Sequence, residues 1–266
     1  MRGEADAPAG GWRVHGTSTT GYRHRRDRLP CQDAWGQWQN ADGLVLVVAD
    51  GAGSAAYAAE GARQAVDLAR RVFLPLATPW ERQPDAGARK RALAGAFADV
   101  REMFLRWCGA DPGPFATTLT VVVASDGWLG QLSVGDGLVL LRTDGLRGAG
   151  SYHVLPQPRS LGEYVNETVF VGSPGALEQV RVDCVRDDGV DGVLLSTDGL
   201  TNALLKRNPS GPPLPHDAFV GRLFDRLGDP AYDHDAEERW LSAFLASDQI
   251  TRVTGDDKTL LWAVRT

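Results

Sequence analysis

Five short runs in this chain are apolar at nearly every position: Leu44 to Ala49 (LVLVVA), Thr118 to Ala124 (TLTVVVA), Leu138 to Leu141, Val193 to Leu195 and Thr259 to Val264. A strand with one face in water alternates apolar with polar residues, so runs of this kind predict strands covered on both faces. Hiding several such strands requires further layers outside the sheets. Two stretches can supply them. Ala58, Ala62, Ala65, Val66, Ala69, Val72 and Phe73 recur at three- and four-residue steps, with Arg63, Asp67, Arg70 and Arg71 on the other face, and Leu93, Phe97, Val100, Phe104 and Trp107 repeat the pattern. Each reads as a helix with one apolar stripe, lying on the outside of a sheet. Shorter amphipathic helices are expected near Ala218 to Leu227 and Glu237 to Leu245, and a loop over the Pro-rich segment from Leu74 to Pro84.

The chain's 266 residues, 43% hydrophobic and 23% charged, suffice for one sizeable core without a partner, and a monomer is expected. Residues 1–11, all Ala, Gly, Pro, charge and Met, read as a loose tail before a single domain over residues 12–266. A net charge of −6 gives no broad pull toward nucleic acid or an anionic membrane. Cys31, Cys108 and Cys184, odd in number and irregularly spaced, fit neither a disulfide framework nor a zinc knuckle. No apolar stretch suits a signal peptide or a membrane span, so a cytoplasmic protein is expected.

Asp-Gly pairs are common hairpin tokens, and Asp42-Gly43, Asp126-Gly127 and Asp144-Gly145 read that way. Asp50-Gly51 and Asp198-Gly199 differ. Each follows a buried strand and leads toward a helix, leaving a carboxylate at the strand's C-terminal tip. A desolvated carboxylate there is costly unless something positive neutralises it. A third acidic site, Asp256-Asp257, precedes the last strand. Hard cations such as Mg2+ take oxygen ligands and keep several waters, so a few carboxylates suffice. Zinc is disfavoured, because His15, His24, His153, His216 and His234 show no paired ligand spacing and read as surface or loop residues.

In chain order, RLPCQDAW, VVADGAGSA, FATTLTVVVA, LSVGDG, GEYVNET, LLSTDGL and GDDKTLL resemble the ordered motifs of type 2C protein phosphatases, in forms similar to a bacterial branch, from about Gly16 to Val264. The resemblance implies an α+β fold: a four-layer α-β-β-α sandwich, two antiparallel sheets with helices on both outer faces. It implies two Mg2+ or Mn2+ ions, with Asp50 bridging both, Gly51 giving a carbonyl, and Asp198 and Asp256 completing the site. Asp33 would hold metal-bound water, and Asp257 ranks below Asp256. Asp136 matches an aspartate associated with a third, looser ion, although the residues around it read equally as a hairpin turn. Arg28, five residues before Asp33, matches a phosphate-binding arginine, or is a solvated charge in the basic run Arg23 to Arg28. The implied reaction is direct hydrolysis of phosphoserine or phosphothreonine by a metal-activated water, on phosphoproteins made by a bacterial Ser/Thr kinase.

The chain departs from the family at three places. Gln32 stands where many relatives have Glu, Ala52 where animal members place a histidine proposed as general acid, and Gly137-Leu138 where Ser-Arg is frequent. Gln32 and Ala52 motivate an alternative, a catalytically weak or silent binding module, with an unrelated small-phosphoester hydrolase as a third reading; Gly137-Leu138 bears on the third ion. Gly162 to Thr168 is expected to belong to a flap beside the site, with no catalytic role assigned.

Overall fold

The run Leu44–Ala49 shows how the core is organised. Its residues alternate between two apolar cores: Val45, Val47 and Ala49 point into one, Leu44, Leu46 and Val48 into the other, and all are buried. This is the period-2 geometry of a strand buried on both faces. The computed structural model describes residues 11–144, 150–156, 168–186 and 189–266. Residues 1–10 of the expected tail and most of the Gly162–Thr168 segment lie outside them.

In chain order the strands are β1 (Trp12–Thr19), β2 (Asp33–Gln39), β3 (Gly43–Asp50), β4 (Leu119–Ser125), β5 (Trp128–Val134) and β6 (Leu138–Thr143). They continue with β7 (Ser151–Val154), β8 (Arg181–Val185), β9 (Val190–Ser196), β10 (Leu205–Lys206), β11 (Leu214–Pro215) and β12 (Lys258–Arg265). The helices are α1 (Tyr22–Asp27), α2 (Ala58–Phe73), α3 (Ala86–Cys108), α4 (Ala176–Gln179), α5 (Thr201–Leu204), α6 (Asp217–Gly228), α7 (His234–Leu245) and α8 (Asp248–Thr251).

Two five-stranded antiparallel sheets result, ordered β2-β3-β4-β5-β8 and β1-β12-β9-β6-β7. Leu46, Val122, Val193 and Leu261 fill the space between them. Val66, Phe73, Phe97 and Phe104 of α2 and α3 cover the outer face of the first sheet. Val220, Phe224 and Leu241 of α6 and α7 cover the second, against Trp262. The architecture is the expected α-β-β-α sandwich.

Two readings of the sequence need correction. The Gly135-Asp136-Gly137 link is no hairpin: β5 and β6 belong to different sheets, and the three residues carry the chain from one to the other. His15 is neither on the surface nor in a loop. It is buried in β1, where its ring nitrogens meet the Tyr232 hydroxyl at 2.7 Å and the Glu238 carboxylate at 3.1 Å.

Strand register brings the acidic sites together. Asp50 ends β3 opposite Asp33 at the start of β2. Asp136 follows β5 and precedes β6, whose first residue Leu138 pairs with Ser196. Ser196 also pairs with Leu260, so Asp198 and Asp256 flank the same end of the second sheet.

Candidate metal centre

At that end of the sandwich a cleft of about 480 Å3 is lined by Asp50, Asp136, Asp198 and Asp256, with Gly51, Ala52, Gly53, Ser54 and Thr118 beside them. Carboxylates from both sheets and from the crossover between them therefore face one space. Its other wall is α1, contributing Arg23, His24, Arg26 and Asp27.

The backbone of Asp50 is tied down. Its N–H donates to the Thr118 hydroxyl (3.0 Å), and its carbonyl accepts from the Thr118 N–H (2.8 Å) and the Thr117 hydroxyl (3.0 Å). Gly51 has room for nothing larger, since a Cβ there would stand 2.6 Å from the Ala58 carbonyl oxygen. Gly199 is tighter still: a Cβ would lie 1.9 Å from the Asp257 carbonyl oxygen. Asp33 sits behind the cleft, buried, where one carboxylate oxygen accepts from the hydroxyls of Thr197 (2.8 Å) and Thr259 (2.7 Å). Its other oxygen is buried with no partner among the described residues.

These carboxylates are short of positive charge. Burial, then the charges of Asp33 and Asp198, push the Asp50 carboxyl up to about 11. Burial also raises Asp33 to about 7, against the two threonine hydrogen bonds. Asp198 presents its surface to the cleft, yet it too is raised, by the protein around it and then by Asp136. A cation near the cluster, the Lys258 ammonium, is turned to the backbone carbonyl of Asp256 at 3.2 Å.

Among the described residues no three His, Cys, Asp or Glu side chains close on a common point as a ready ligand set. An ion held in this cleft would therefore have to keep waters in its coordination shell, as Mg2+ does. An unpartnered buried oxygen on Asp33 and repelling carboxylates on one wall are the donor set such hydrated cations need.

Asp50, Gly51, Asp136, Asp198 and Asp256 thus line one cleft, with Asp33 behind it. Arg28 is not among the lining residues: it caps α1 with a left-handed backbone (φ 57°) and is exposed. Asp257 points away from the cleft. Its two oxygens accept from the backbone N–H groups of Gly21 and Gln32, both at 2.6 Å, fastening the α1 segment to the turn that carries Asp256. The His24 Nδ1 lies 2.9 Å from the same carboxylate without the alignment of a hydrogen bond. His24 is therefore half-buried on the cleft wall, correcting its reading as a surface or loop residue. Sequence reasoning also missed the threonines that hold Asp50 and Asp33, and the i, i+3 spacing of Arg23 and Arg26 was the signal that both face one way. The Cys31 thiol is raised by burial and by Asp33, the opposite of what a nucleophilic thiolate needs.

Comparison with known proteins places this arrangement. Residues 20–246 match the family model described as protein phosphatase 2C. The chain is 31% identical over 271 residues to serine/threonine-protein phosphatase 3 of Escherichia coli (strain K12), covering 95% of this chain and 99% of that protein. Its fold is similar to serine-threonine phosphatase 2C from Toxoplasma gondii (TM-score 0.66, 13% identity, 98% of this chain and 96% of that one). It is also similar to serine/threonine phosphatase Stp1 from Staphylococcus aureus (TM-score 0.64, 14% identity, 99% of each chain). With the model spanning most of the chain and the E. coli relative matched almost end to end, the chain belongs to the protein phosphatase 2C family, whose members are protein serine/threonine phosphatases.

Proposed function

We propose that this chain hydrolyses phosphoserine and phosphothreonine esters of proteins by direct attack of water at a two-metal centre. The observation that carries the reading is the convergence of Asp50, Asp198 and Asp256, from both sheets, on one cleft, where burial and neighbouring acids raise the Asp50 and Asp198 carboxyls. Asp50 and Gly51 would hold one ion, and Asp50, Asp198 and Asp256 the other, with Asp136 reserved for a third, looser one. When bound, two Mg2+ or Mn2+ ions supply Lewis-acid stabilisation of the phosphoryl oxygens and a nucleophile at neutral pH.

The chain's own residues do the rest. Thr117 and Thr118 hold the Asp50 backbone so that its carboxylate faces the cleft. The unpartnered Asp33 oxygen is an acceptor placed to orient a water through its O–H. Arg28, at the exposed end of α1, is the candidate fork for two phosphate oxygens. The silent alternative, motivated by Gln32 and Ala52, is opposed by the carboxylates themselves, because a scaffold gains nothing from acids that repel one another. Among the described residues no helix is long and apolar enough to cross a membrane.

The test is hydrolysis of p-nitrophenyl phosphate and of a phosphothreonine peptide with and without Mn2+, beside Asp50→Ala and Asp198→Ala. Metal-dependent turnover, lost in both variants, is expected. Turnover indifferent to metal, or surviving Asp50→Ala, overturns the mechanism, and no turnover of either substrate favours the silent module.

A further inference from the structure

Residues Tyr22–Asp27 form a short helix, α1, at the mouth of the cleft. Residues three apart share a helix face, so Arg23 and Arg26 project together, and both line the cleft. From Arg23 to Arg28 there are four arginines, Arg23, Arg25, Arg26 and Arg28, against the one acid Asp27. That is a local excess of three positive charges on a chain whose net charge is −6. Arg26 pairs with Asp27 at 2.8 Å, both exposed, whereas Arg23 and Arg28 have no carboxylate partner among the described residues.

The helix is also fixed in place. The Asp257 carboxylate binds the backbone on both sides of it, at Gly21 and Gln32. The Arg23 N–H donates to the Gly255 carbonyl at 3.0 Å. A Cβ on Gly21 would meet the Asp256 carbonyl carbon at 2.3 Å, so the two segments are in backbone contact. The arginine face is therefore fastened against the turn that carries Asp256, and what it touches lies beside whatever occupies the cleft.

On the phosphatase reading above, we infer that α1 reads the substrate's neighbouring residues, and that the protein favours phosphopeptides with acidic side chains flanking the phosphorylated one. A guanidinium at the rim meets a carboxylate as a fork, and it meets the residues that flank the phosphate because the rim is beside the cleft floor and not in it. Both arginines are exposed to water, so the discrimination is modest and salt-sensitive.

The experiment compares kcat/KM for three phosphothreonine peptides differing only in flanking Glu, Gln or Lys, at low and high salt, with p-nitrophenyl phosphate as a substrate that has no flanks. Wild type should prefer Glu over Gln by about threefold to tenfold at low salt and less at high salt. The variant Arg23→Glu/Arg26→Glu should remove or invert that ratio. A wild-type ratio near one, a preference for Lys, or a variant that slows every substrate equally overturns the inference, the last because it would mean that these arginines grip the phosphate itself. Absence of turnover of p-nitrophenyl phosphate and of all three peptides by wild type would instead sink the phosphatase reading. The salt series on wild type alone decides the matter should the variant not fold.

Discussion

Asp33 and Asp50 are register partners across β2 and β3, two carboxyls on adjacent strand ends, and the charge of Asp33 adds to burial in raising the proton affinity of Asp50. Asp33 is raised to about 7 and Asp50 further, so the folded, metal-free protein binds protons that the unfolded chain, with carboxyl values near 4, has released. A group raised in the folded state contributes stability that is complete below its unfolded pKa and lost as pH rises through its folded one. Metal-free protein should therefore lose stability as pH climbs from about 4, the Asp33 share ending near 7 and the Asp50 share continuing toward about 11, measured by thermal melts in chelator. Asp50→Asn should flatten that loss and raise Tm near neutrality by roughly 2–4 °C, about 1 kcal/mol for a chain of this size. Added Mn2+ should raise the Tm of wild type and leave the variant unmoved. A wild-type protein without chelator-dependent alkaline loss would contradict the charge reading of the cleft.

Asp257 serves a different purpose from its neighbour Asp256. Both its oxygens accept backbone N–H bonds, one on each flank of α1. Asp257→Asn keeps the shape but turns an NH2 toward a backbone N–H, leaving a buried donor unpaired. A loss of about 1–3 kcal/mol in urea denaturation is expected. The same variant should raise KM for phosphopeptides more than it lowers kcat with p-nitrophenyl phosphate, because α1 is loosened and the carboxylates of the cleft are not removed. Equal effects on both substrates would show that Asp257 acts at the metals directly.

The buried His15 should make the other limb of the pH profile. Burial, then the charge of His234, holds its imidazole below the ordinary value of 6.5, and Glu238 and Glu237 only partly oppose this. A depressed folded pKa contributes stability that is intact above the unfolded value and lost as pH falls below it. In wild type the acid-side loss from this group should thus begin near pH 6.5, as the unfolded chain takes up a proton that the folded ring, between Tyr232 and Glu238, resists. Subtracting the stability profile of His15→Asn from that of wild type isolates the group, and a difference constant between pH 8 and 5 would remove it from the acid limb.

Much of this was legible before the fold. The strands at Leu44, Leu119 and Leu260 announced themselves because burial on both faces leaves no polar position to obscure the run. The helices α2 and α3 did so through one apolar stripe each. β1 and β2 were not read, since sequences such as WRVHGTST and DAWGQWQ mix Gly, Trp and polar residues on half-covered strands at one side of each sheet. The carboxylates were legible as strand-end tips, but which tips share a cleft depends on register between strands far apart in sequence. Asp136 was ambiguous for the same reason: GDG between two strands looks identical whether the chain folds back in one sheet or steps to the other. Gly199 could be seen as half of an Asp-Gly pair, but its role as the surface on which the Asp257 carbonyl rests appears only in three dimensions.

The crossover through Asp136 joins the two sheets at the end where the other acids gather, and Asp50 belongs to one sheet while Asp198 and Asp256 extend from the other. An ion shared by Asp50 and Asp198, as proposed above, would accordingly be a rivet through both halves of the sandwich. Occupying it would slow hydrogen exchange in β3 and β9 together, so that the readiness to react and the resistance to coming apart rise and fall as one quantity.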